Sequence, residues 1–101
     1  MQSNSSKVSL NLLPGGDLVL KGLSDLKSKN ITDEALLVLI ASERLSGLGI
    51  KIPQTTHVPT PYEHTLYTQL NDREPKRAFS IYNSLIRRIV SFAQALSLEA
   101  S

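Results

Sequence analysis

Residues 78–96, AFSIYNSLIRRIVSFAQAL, decide the fold of this chain. Wound as a helix, they place Ala78, Tyr82, Leu85, Ile89, Phe92 and Leu96 on one stripe at alternating spacings of four and three, the rhythm of helices that pack on helices. Phe79, Ile81, Ile86, Val90 and Ala93 widen that stripe to about half the circumference. A helix this apolar on one side requires a broad partner surface. Pro75 suits an early position in it, and it runs to about Ser97. At ~1.5 Å per residue such a helix reaches roughly 35 Å, longer than any other element in the chain.

Working toward the N-terminus, the next clear element begins at Thr32. Thr32 is a favourable N-cap, Asp33 and Glu34 place negative charge in the first turn, and Ile31 is positioned to staple onto Leu36. A helix over residues 33–46 follows. Its middle, ALLVLIA at 35–41, is apolar around the whole circumference, which predicts a core helix enclosed by its neighbours. Gly47 and Gly49 end it.

Upstream, residues 8–20 fork. Val8, Leu10 and Leu12 alternate with polar residues, and Pro14-Gly15-Gly16-Asp17 is turn chemistry, so a short hairpin is one solution. A helix capped by Asp17 and closed by Asn30 is the other. It is preferred because Leu18, Val19, Leu23 and Leu26 carry the apolar spacing past the end of a hairpin. The link of residues 30–32 would fold this helix back on the next as a helical hairpin. Residues 1–7 read as a frayed tail within a single helical domain of residues 1–101.

Between Gly47 and Thr60 lies the longest irregular stretch, GLGIKIPQTTHVPT, broken by Pro53 and Pro59. Stretches of this length in a small domain are often functional or loosely ordered. A further helix then opens on what reads as a capping box, with Thr60 as cap, Pro61 at the first position and Glu63 reaching back. Tyr62, Leu66 and Leu70 form its apolar stripe, with Tyr67 beside it. The expected fold is therefore all-α, a compact four-helix bundle-like domain with a long C-terminal amphipathic helix.

Composition narrows the chemistry. With 101 residues and 41% hydrophobic content the chain can build one core. It contains no cysteine, which excludes disulfides, thiolate metal sites and a cysteine nucleophile, and favours a reducing compartment. The polar start MQSNSSKVSL lacks the pattern of a secretory signal, and the longest apolar run has seven residues, so the expectation is a soluble cytoplasmic protein without a membrane segment. Net charge is +2, too small to point to nucleic acid by itself.

The charge distribution is more informative. Arg73, Lys76, Arg77, Arg87 and Arg88 hold five of the six basic residues of the C-terminal half, and no acid lies between Pro75 and Leu98. Interleaved with Ser80, Asn83, Ser84, Ser91 and Gln94, they suit either a solvated helix face or a surface for phosphates or an acidic partner. Stacking aromatics, which a single-strand site requires, are missing from this face. A helix-turn-helix over residues 17–47 would need polar side chains on its second helix, where the chain has DEALLVLIASERL.

His57 and His64 are the only histidines, with Glu63 the sole acid beside them, so they form no metal or cofactor motif. Cooperation with Tyr62 or Tyr67 in acid–base chemistry lacks a nucleophile, and no catalytic residue is assigned. Glu43 and Arg44 follow the apolar run closely enough that Glu43 could touch the core, where it would need a partner such as an arginine of the last helix. An exposed helix end is the simpler account.

The leading functional expectation is a non-enzymatic protein–protein interaction module, self-associating through Tyr82, Leu85, Ile89, Phe92 and Leu96. The second is a nucleic-acid-associated accessory protein using the five cations. An enzyme with a site at residues 47–64 ranks third.

Overall fold

A computed structural model describes residues 10–55 and 58–100. The expected tail at residues 1–7 lies outside the described residues. After a 3₁₀ turn at Leu10–Leu12 come five helices: α1 (Gly16–Lys27), α2 (Asp33–Ile40), α3 (Ser42–Gly47), α4 (Tyr62–Arg73) and α5 (Ala78–Ala100). No strand occurs among the described residues, so the hairpin is excluded over residues 10–20 and the all-α bundle is the observed class.

α2 is the centre. Ala35, Leu36, Leu37, Val38 and Leu39 are all buried. Five consecutive positions, at about 100° each, sample every side of a helix, so α2 has neighbours all round. It packs chiefly on α1 and α4, with α5 and α3 closing the rest. The Thr32 cap forms as expected: the Ala35 N–H donates to Thr32 Oγ1 at 3.2 Å, while that hydroxyl donates to Asp25 Oδ2 at 2.6 Å.

Three local expectations are corrected. The helix expected over 33–46 is two, broken at Ala41 (φ −97°, ψ 13°), where no glycine or proline announces a break. The turn lets Leu45 enter the core and leaves Glu43 and Arg44 exposed, so Glu43 has no place against the core. α1 starts before Asp17: Gly15, at φ 77°, is the N-cap and contributes no side-chain hydrogen bond. Only glycine fits there, because a Cβ would lie 2.7 Å from the Arg88 carbonyl oxygen of α5. The capping box of α4 does not form. Pro61 is the N-cap, its carbonyl accepts from the His64 N–H at 3.1 Å, Thr65 Oγ1 donates to the Pro59 carbonyl at 2.8 Å, and Glu63 is exposed.

Gly22, in the middle of α1, is a poor helix former whose reason is tertiary. A Cβ there would lie 2.5 Å from the Glu34 carbonyl oxygen and 2.6 Å from Val38 Cγ2. The missing side chain sets how closely α1 and α2 approach.

The long connection from α3 to α4 is anchored rather than free where it is described. Ile50 is buried, Ile52 and Val58 pack partly against the core, and the Ile50 N–H donates to the Leu45 carbonyl at 3.0 Å.

Candidate interaction face

α5 divides its broad apolar half between two environments. Ile89, Phe92 and Leu96 are 2, 0 and 6% exposed in the chain's own core, with Tyr82 and Leu85 partly buried beside them. The stripe expected to form an oligomer contact is therefore committed to the monomer, and three of its five residues could meet a partner only by opening the fold. The wheel gives the width of an apolar face but not which part of it the remaining helices cover.

Before Leu98 near the end of α5, what stays outside is displaced by one residue. Phe79 is 68% exposed and Val90 41%, and Ile86, on the same line, is partly buried. Along one border of this line Tyr82 meets Tyr67 of α4 edge to face, with ring centroids 5.7 Å apart and planes at 78°. Tyr67 itself remains 37% exposed. Burial raises the Tyr82 phenol above its ordinary pKa, and the nearby Glu63 carboxylate adds to the effect. Phe79, Ile86, Val90 and the tyrosine pair thus make an apolar strip across α4 and α5. Isoleucine and valine at such spacing read as core in the sequence, so only Phe79, the bulkiest residue off the stripe, could have signalled it.

The five cations are not equivalent. Acids on other helices pair with two of them. Arg88 Nη2 donates to both oxygens of Asp17 in α1, at 2.9 and 3.2 Å, and this hydrogen bond holds the Asp17 carboxyl below its usual range. Arg73 makes a two-pronged contact with Asp33, the first residue of α2, and Gln69 Nε2 donates to the same carboxylate at 2.8 Å. That contact raises the Arg73 guanidinium further. Lys76, Arg77 and Arg87 are exposed and form no ion pair among the described residues. Two of the five cations are thus held by carboxylates of the same chain.

Acid–base chemistry has little to work with. His57 lies outside the described residues. His64 is exposed on α4, at the edge of a surface depression of about 350 Å³ shared with Thr68 and Asp72. A larger depression, about 570 Å³, lies between α3 and the following loop and offers Ser42, Glu43, Ser46 and Tyr62. Among the described residues no histidine lines it to activate a serine. No group of three or more histidine, aspartate or glutamate residues able to hold a metal occurs among the described residues, nor any helix long and apolar enough to cross a membrane. No family model, curated protein or solved structure matches this chain.

Proposed function

We propose that this chain is a non-enzymatic helical interaction module that associates with copies of itself through the exposed strip of α5 and α4. The observation that carries this reading is Phe79, a large aromatic 68% exposed in line with Val90 on a helix whose other apolar side is already used. Exposed single leucines are ordinary, but several apolar and aromatic side chains aligned beside an aromatic pair favour a partner. The cysteine-free composition suits a reducing interior, and we assign the module to the cytoplasm.

Mass measured by sedimentation across a concentration series tests it. The native chain is expected at a multiple of 11.1 kDa that falls on dilution, and Phe79→Glu at 11.1 kDa with unchanged helical circular dichroism. A native chain that stays at 11.1 kDa throughout removes the proposal. Nucleic-acid association through Lys76, Arg77 and Arg87 is the weaker alternative, since Arg73 and Arg88 already have carboxylate partners. It predicts salt-sensitive binding that Arg87→Glu abolishes.

A further inference from the structure

The exposed line on α5 has its own heptad rhythm. Phe79, Asn83, Ile86, Val90, Ala93 and Ser97 alternate spacings of four and three, one residue on from the stripe that fills the core. Ala93 is buried at the edge of that core, while Phe79 and Val90 face outward. The two borders of the line differ in charge. On one side, about 80° around the helix, stands Arg87, exposed and without an ion pair among the described residues. On the other, about 60° around, stands Tyr82, with Tyr67 against it and Glu63 near enough for its charge to act on the phenol. Glu63 is exposed and also forms no ion pair among the described residues.

Opposite borders choose an orientation. Two such helices laid antiparallel bring each border to its own copy, setting Arg87 against Arg87. Laid parallel, each border meets the other one. Arg87 lies about one and a half turns beyond Tyr82, the stagger at which flanking positions of a parallel pair meet. We propose that two copies of this chain pair with their α5 helices parallel, Arg87 of each reaching the partner's Glu63 beside the Tyr67–Tyr82 contact. At the N-terminal end, where a parallel pair gathers like charges, Asp33, Asp72 and Glu74 balance Arg73, Lys76 and Arg77. The proposal rests on the self-association above and adds its partner contacts and direction.

The absence of cysteine makes the direction directly measurable. In a parallel pair Ser97→Cys, on the same line as the Phe79 anchor but leaving it intact, meets its own counterpart and oxidises to a covalent dimer by itself. In an antiparallel pair it does so only when mixed with Phe79→Cys. Arg87→Glu is expected to raise the dimer dissociation constant about fivefold, and adding Glu63→Arg to restore it, as two exposed ion pairs allow. A native chain that is monomeric at every concentration overturns both self-association and this geometry. A native dimer that cross-links only through the Phe79→Cys and Ser97→Cys mixture, or whose charge swap fails to restore pairing, overturns the parallel geometry and leaves self-association standing.

Discussion

α2 and α5 are the two most apolar helices of the chain, and they spend that character differently. α2 is short and buries Ala35 to Leu39 without interruption, so nothing on its middle reaches solvent. α5 is 23 residues long, buries Ile89, Phe92, Ala93 and Leu96, and keeps Phe79 and Val90 outside. Helix-wide hydrophobicity is used up by the fold, whereas hydrophobicity wider than the core can cover stays exposed. The first kind of helix specifies structure, and the second bears the strip we propose as the contact surface.

The largest effect that sharpens this contrast is on stability. Leu37→Ala removes a fully buried side chain at the centre of α2 and is expected to cost about 2–5 kcal/mol, while Phe79→Ala should stay within about 0.5 kcal/mol in dilute solution. Urea unfolding measures both. Equal losses would mean that Phe79 belongs to the core and that the two helices do not differ.

Next comes the spacing of α1 against α2. Gly22→Ala improves helix propensity yet drives a methyl group into Glu34 and Val38, so a net loss of about 1–3 kcal/mol is expected from the same unfolding curves. A gain in stability would show that α2 can move away from α1 without penalty, and that its enclosure is looser than its burial implies.

The smallest effect is electrostatic. Lys21 Nζ lies 2.7 Å from Asp25 Oδ2, and this hydrogen bond, with a second from the Thr32 hydroxyl, lowers the Asp25 carboxyl below its ordinary value. A carboxylate so lowered adds stability that is complete above its unfolded value of about 3.9 and disappears as pH falls through the lower folded value. In Lys21→Met the NMR titration midpoint of Asp25 should rise toward the ordinary range, with a weaker loss of stability below pH 4. An unmoved midpoint would assign the shift to Thr32 and the cap of α2 alone.

How far the sequence could be read depended on whether the cause was local. The burial of Ala35 to Leu39, the Thr32 cap and the 23-residue length of α5 follow from residues close together in the chain, and all three are present, although α5 begins at Ala78 and leaves Pro75 in the turn before it. The break at Ala41 has no glycine or proline to mark it. Thr60, Pro61 and Glu63 satisfy the pattern of a capping box while the backbone starts the helix one residue later. The carboxylates on Arg73 of α4 and Arg88 of α5 come from α2 and α1, so no window along α4 or α5 reveals them. The exposed strip was hidden for a related reason: periodicity shows that about half of α5 is apolar, but only the placement of α4 and α2 decides which half is left over.

The contacts at Asp33 also bear on the order in which the chain assembles. Gln69 and Arg73 reach that carboxylate from 36 and 40 residues away, across the whole α3–α4 connection, whereas Gly22 and Glu34 meet about twelve residues apart. Closing the longer loop costs about 1 kcal/mol more in chain entropy. On loop length alone the α1–α2 hairpin is the cheaper unit to close, and the hold of Asp33 on the end of α4 is a latch that costs more chain entropy to engage.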